Sequence, residues 1–305
     1  MTRRVALLFL ALLSGAVGQV AASDQWRTAH LRGECEAALT EARTAADAGS
    51  AEALLQLSDW HFFGTCLDKD DIASARFALQ AAQGGLPRAQ AVVGQLYASG
   101  LGVERDDAEA RRWYLLAADA GDAEAMLLLA RHLETDTTSP VAADVALAWA
   151  KRSAEAGYAP AFVHLAQLYS GGGAQTDYAK AAQWLERSIE SGYKDNGVWV
   201  AYSWACLNLG RYDDVLRAAD QVPKEAAEYK AAQINRAHAL LLNGQIGNAR
   251  EVYAANLTLR GEDEFRRILR DDFAELRRSG RAHPAMARIE KLFNTQPLES
   301  LPAKQ

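Results

Sequence analysis

Cysteine is scarce in this chain, with three in 305 residues, and no two stand in a Cys-x-x-Cys pair. That removes the usual paired-thiol zinc and redox motifs. Long apolar runs are missing too. The one run of note, Val5 to Leu13, is about half of the ~20 residues that a spanning helix needs. There is no basic stripe: the formal net charge is −6, which makes a poor nucleic-acid binder. β-Branched runs are few. The catalytic signatures His-Glu-x-x-His, the P-loop and the calcium loop are all absent from the sequence. What remains is alanine-rich, glycine-punctuated helix, which predicts an all-α chain.

Those glycines keep a period. Gly49, Gly85, Gly121 and Gly157 are each 36 residues apart, and Gly192 follows after 35. A fixed period in this range marks a solenoid. Four positions after each glycine come Ala53, Ala89, Ala125 and Ala161. Eight after come Leu57, Val93, Leu129 and Leu165; nine after, Ser58, Gly94, Ala130 and Ala166; twelve after, His61, Tyr97, Leu133 and Tyr169. Spacings of 4, 8, 9 and 12 lie on one helical face. A glycine-rich turn such as Gly100-Leu101-Gly102 follows. A second run then carries Phe77, Trp113, Trp149 and Trp184 in register and closes on Ala82, Ala118, Ala154 and Ile189. Each unit therefore reads as helix, turn, helix. One such hairpin cannot cover its own apolar face, so the copies must stack. Lengthwise growth also accommodates about 280 residues, more than one globular core holds.

These positions resemble the Sel-1-like repeat, a relative of the tetratricopeptide repeat. The copy at 85–120 carries the resemblance most fully, through Ala89, Val93, Gly94, Tyr97, Gly100, Gly102, Val103, Asp106, Ala110, Trp113, Tyr114, Ala117 and Ala118. The third copy has Thr135 to Pro140 where its turn glycines should be. The resemblance implies a right-handed α-solenoid with four Sel-1-like repeats over 49–192. After Gly192 the pattern changes. Gly210 and Gly244 are 34 residues apart, the tetratricopeptide period, so about two tetratricopeptide-like repeats are expected over 193–260, with Pro223 breaking the chain between them.

The ends read as caps and leader. Residues 1–22 have the form of a secretory signal peptide: Arg3 and Arg4, the apolar run, then Val20-Ala21-Ala22 as a small-residue cleavage site. Cleavage takes the net charge from −6 to −8 and leaves no membrane-spanning segment, which predicts a periplasmic or secreted protein. Trp26 to Ala48 reads as one capping helix within 23–48. Cys35 lies 14 residues before Gly49 and Cys66 lies 17 after it. In an antiparallel pair the mismatch is ~4.5 Å of rise, so an oxidising compartment would join Cys35 to Cys66. Cys206 is left as a small core residue. At the other end, Glu262 to Arg278 is an amphipathic helix with Phe265, Ile268, Leu269, Phe273 and Leu276 on one side. It forms, with a short helix from Pro284 to Phe293, a C-terminal cap over 261–295. Residues 296–305 read as a disordered tail.

Chemistry is hard to find. His61 stands where Tyr97 and Tyr169 stand in other copies, so it reads as an intercalated core residue. Gly171 to Gly173 fills an inter-helix turn. Ser191-Gly192-Tyr193-Lys194 matches Ser-x-x-Lys, but the partner elements such a nucleophile requires are missing. No metal, cofactor or catalytic set is expected. Two positions per copy are left free by the core pattern on the first helices, which line the concave side in the family this chain resembles. They are Gln56, Val92, Leu128 and His164, and Asp59, Gln95, Arg131 and Gln167. Amides with one acid and one arginine suit a protein or peptide partner, with Gln56, Asp59, Gln95, Arg131, His164 and Gln167 as the candidate binding residues. The reading is a non-enzymatic protein-protein interaction scaffold of the bacterial cell envelope. Its rivals are a cell-wall or β-lactam-acting hydrolase and a polysaccharide-export scaffold.

Overall fold

The computed structural model describes residues 25–135, 142–171 and 176–295. The proposed leader, most of the Thr135–Pro140 turn, Gly172 and Gly173, and the tail lie outside them. The described residues are helical and contain no strand. The chain divides into two compact units, Met1–Ala156 and Gly157–Gln305, and the division falls between the third and fourth copies of the 36-residue period.

The first unit is a stack of antiparallel hairpins. It runs α1 (Gln25–Leu31), α2 (Cys35–Asp47), α3 (Ala51–Phe63), α4 (Asp71–Gln83), α5 (Pro87–Ser99), α6 (Asp107–Asp119), α7 (Ala123–Glu134) and α8 (Ala142–Glu155). The periodic alanines are its closest joints: Ala53, Ala89 and Ala125 are fully buried, with Leu57, Val93 and Leu129 beside them. Gly94 brings α5 and α6 into contact. A Cβ there would lie 2.5 Å from Cδ1 of Tyr114, a distance that only glycine permits. Between repeats the chain turns through glycines in the left-handed region, such as Gly85 at φ +83°, where L residues pay steric strain.

Turn chemistry repeats as faithfully as the core. Asp70 and Asp106 cap α4 and α6, accepting from the Ala73 N–H at 2.9 Å and from the Ala108 and Glu109 N–H groups at 2.9 and 3.0 Å. Each satisfies donors that a helix start leaves unpaired. The same aspartates donate their own N–H to the carbonyl of the residue twelve after the turn glycine, His61 at 2.9 Å and Tyr97 at 3.0 Å. One bond thus closes the turn that the other opens. The second-helix aromatics also share a motif. Arg76 lies over Phe77, Arg112 over Trp113 and Arg152 over Trp149, at 5.1, 5.0 and 4.0 Å from the ring centroids.

The N-terminal cap differs from the single helix expected over Trp26 to Ala48. It is two helices, broken at Gly33, which takes φ +75°. The Gly33 N–H donates to the His30 carbonyl at 2.9 Å and the Glu34 N–H to the Ala29 carbonyl at 3.0 Å, a glycine C-cap that ends α1. The break folds α1 back, so Trp26 and Ala29 join Ala38, Ala42, Leu57 and Trp60 in one buried cluster. Cys35 and Cys66 form a disulfide with Cα atoms 5.2 Å apart.

The second unit comprises α9 (Ala159–Ser170), α10 (Tyr178–Glu190), α11 (Asn196–Leu209), α12 (Tyr212–Asp220), α13 (Tyr229–Leu242), α14 (Ile246–Arg260), α15 (Glu262–Arg278) and α16 (Pro284–Thr295). Its first hairpin repeats the plan: Asp177 caps α10 and donates to the Tyr169 carbonyl at 2.7 Å, and Arg187 lies 4.6 Å over Trp184. Gly210 and Gly244 both take positive φ after α11 and α13. At the C-terminal end Phe265, Leu269, Phe273 and Leu276 of α15 are buried, and Ile268 of the same face is half-buried. They enclose Tyr253 and Phe293. His238 is 0% exposed in this cluster. Its Nδ1 meets the Tyr253 hydroxyl at 2.7 Å and its Nε2 meets Asp272 Oδ2 at 3.1 Å, so α13, α14 and α15 are joined through one imidazole. Cys206 is a free, buried thiol, and burial pushes its pKa up to about 11.

Candidate functional site

The first helices of successive repeats, α3, α5 and α7, lie side by side in the first unit. Between them is a groove of about 440 Å³. Asp59, Val92, Gln95 and Leu128, all from the two free rows, line it. Gln56 is half-buried and Arg131 is exposed, but neither is among the lining residues. His164 and Gln167 belong to α9 in the second unit. Gln167 is exposed; His164 is 7% exposed and offers little to a partner.

The groove is amphipathic. Its floor includes Ser58 and Ser74, whose buried hydroxyls meet at 3.1 Å. Its walls include Phe62, Phe63 and Leu101, and Phe63 is 72% and Leu101 38% exposed. The two phenylalanine rings pack edge to face at 4.9 Å, and Lys69 Nζ lies 5.7 Å over Phe62. The polar groups are Asp59, Gln95, Arg88 and Glu124. Burial raises the Asp59 carboxyl above its ordinary range, and the Arg88 guanidinium pulls it partway back.

The sequence reading missed the two phenylalanines, Leu101, Arg88 and Glu124. A signal for the first pair was present. Where the first copy has Phe62-Phe63 the others have Ala98-Ser99, Glu134-Thr135 and Ser170-Gly171. Two large aromatics after the last core position of a helix have no place in the repeat's own core, so they are available to something else.

Other candidates are accounted for locally. His61 stacks on Phe77 at 5.7 Å. The Ser191 hydroxyl donates to the Ser188 carbonyl at 2.7 Å. Among the described residues no group of three or more His, Cys, Asp or Glu side chains could hold a metal ion, and no described helix is long and apolar enough to cross a membrane. A second groove of about 480 Å³ in the second unit is lined by Trp199, Tyr202, Glu186 and Arg217 among others. Its charges answer one another: Arg211 beside it binds Asp214 at 2.6 Å, Glu186 at 2.9 Å and the Tyr202 hydroxyl at 2.8 Å.

Stacked hairpins presenting an open groove, with buried joints of alanine and glycine, define a helical-repeat protein of the solenoid class. The Sel1 repeat matches residues 51–86, 87–122, 123–158 and 163–193. The chain carries four Sel1 repeats, a fold that commonly serves as a protein-protein interaction scaffold. The chain is similar to a crystal structure of a Sel1 repeat protein from Oxalobacter formigenes, at 19% identity and TM-score 0.59, over 78% of this chain and all of that one. It is also similar to c5321, a protective antigen of uropathogenic Escherichia coli strains displaying an SLR fold. There the identity is 20% and the TM-score 0.55, over 84% of this chain and 62% of the antigen. No curated protein matches the chain.

Proposed function

We propose that this protein is a non-enzymatic scaffold of the bacterial cell envelope that holds a protein or peptide partner along the first-helix face of its first unit. The observation that carries this reading is the groove itself: a solvent-open trough with Phe63 and Leu101 exposed at its wall and Asp59 and Gln95 beside them. Exposed apolar side chains grouped with a few polar ones mark interaction surfaces. The Cys35–Cys66 disulfide fits an oxidising compartment, in keeping with export by the leader-like residues 1–22. Asp59 and Gln95, with Gln56 and Arg131 on the neighbouring turns of the same first helices, supply the polar contacts; Gln167, exposed on α9, belongs to the second unit. His164 is buried on α9.

The hydrolase reading has less behind it, since the hydroxyl of Ser191 is engaged by a backbone carbonyl in a turn. The test is site-specific photo-crosslinking in the intact envelope. A benzophenone side chain at Gln95 captures a discrete partner, and the same group at Leu115, exposed on α6, does not. Identical capture at both positions, or none at Gln95, refutes the proposal.

A further inference from the structure

Asp59 is the odd member of the groove. It is half-buried, with Phe62 and Phe63 following it on α3 and Val92 and Leu128 lining the same groove from α5 and α7. Among the described residues its carboxylate accepts no hydrogen bond and has no cation within 4 Å. Arg88 acts on it only from longer range. A carboxylate that has lost part of its water without gaining a partner gains most when a cation arrives.

The remaining charges point the same way. Glu124, exposed on α7, adds a second carboxylate to the lining, against the single guanidinium of Arg88. Two carboxylates thus stand against one guanidinium in the lining, and the Lys69 ammonium over Phe62 is itself paired with Asp71 at 3.7 Å, so a basic segment is drawn toward the groove and an acidic one repelled. Beside the carboxylate stand the exposed faces of Phe63 and Leu101, which gain by being covered.

We infer that the groove recognises a basic–apolar pair in an extended partner segment: a lysine or arginine docks on Asp59 while a neighbouring bulky apolar side chain seats against Phe63 and Leu101. This rests on the groove being the partner-binding surface, and it adds the chemistry of the occupant. The cation completes Asp59, and the apolar neighbour fixes the register. Anionic segments are rejected by Asp59 and Glu124 together.

Phage-displayed random dodecapeptides panned on the full-length oxidised chain test this directly. Selections on the unaltered protein should enrich Lys or Arg within two residues of Leu, Ile, Met, Phe or Trp. A synthetic peptide of the leading sequence should bind Asp59→Asn about tenfold more weakly. The Phe63→Ser protein should keep the basic preference and lose the apolar one. Asp59→Asn is nearly isosteric and Phe63 is exposed, and unchanged far-UV circular dichroism confirms that both variants fold. Enriched peptides lacking a basic residue, or an unchanged basic preference on Asp59→Asn, overturn the inference and leave the groove as a peptide site. Absence of any enrichment overturns both.

Discussion

Gly94 offers the sharpest test of how the repeats are joined. In an open helix interior, replacing glycine with alanine stabilises by about 1 kcal/mol through backbone entropy. Here the added methyl would lie 2.5 and 2.6 Å from Cδ1 and Cε1 of Tyr114. That ring is buried and rests edge-on against His132 at 5.7 Å, so it has no free end to swing away. Forcing a methyl into a packed site costs roughly 1–3 kcal/mol. The overlap is deep enough to place the cost near the upper end, and Gly94→Ala is expected to destabilise by about 1–2 kcal/mol net. The decisive experiment is the cycle with Tyr114→Ala. Removing the ring opens the space, so the same Gly94→Ala change should then stabilise, by about 0.5–1 kcal/mol. Urea unfolding followed by far-UV circular dichroism gives the midpoints. Because stacked repeats need not unfold in one step, amide exchange of α5 and α6 locates the effect. A Gly94→Ala protein more stable than the original, or no change of sign without the tyrosine, would refute the steric argument.

Other outcomes follow from the same geometry. The Cys35–Cys66 disulfide spans 31 residues of sequence, so the double serine variant should lose about 3–4 kcal/mol by loop entropy; the loss should appear as faster amide exchange in α1 to α3, and unchanged protection there counts against it. Burial raises the Tyr114 phenol to about 12 and the Tyr253 phenol well above its ordinary value. The folded state then holds protons that the unfolded state releases near pH 10, so this contribution is intact below pH 10 and is lost as pH rises toward about 12. The tyrosinate absorbance of these two side chains, read as the difference from a Tyr114→Phe, Tyr253→Phe chain, should therefore rise with unfolding rather than ahead of it. Cys206, buried and shifted up to about 11, should resist a thiol reagent in the native chain and react promptly in urea.

Much of the fold was legible because the repeat is written in local chemistry. Turn glycines, small residues at the closest joints and capping aspartates each act within a few residues of themselves, so one copy explains the next. Gly33 escaped notice because a single glycine among alanines is tolerable inside a helix, and only its left-handed φ marks it as an end. His164 shows the limit of counting positions. Gln56, Val92 and Leu128 in its row are half-buried, and in the fourth copy the cover is nearly complete. The groove was half legible: Asp59 and Gln95 were found by subtraction from the core pattern. Phe62, Arg88, Leu101 and Glu124 come from three different helices and a turn, and nothing in a linear sequence brings them together.

The arginines over Phe77, Trp113 and Trp149 of the first unit have one more implication. A row of partly covered rings on consecutive repeats is what a second chain would adhere to in a crowded compartment. A guanidinium laid across each ring keeps that row wetted while leaving the aromatic in place to wedge the hairpins apart. Replacing all three with glutamine would leave the hairpins standing and make the protein sticky, a defect visible in its solubility before its helicity.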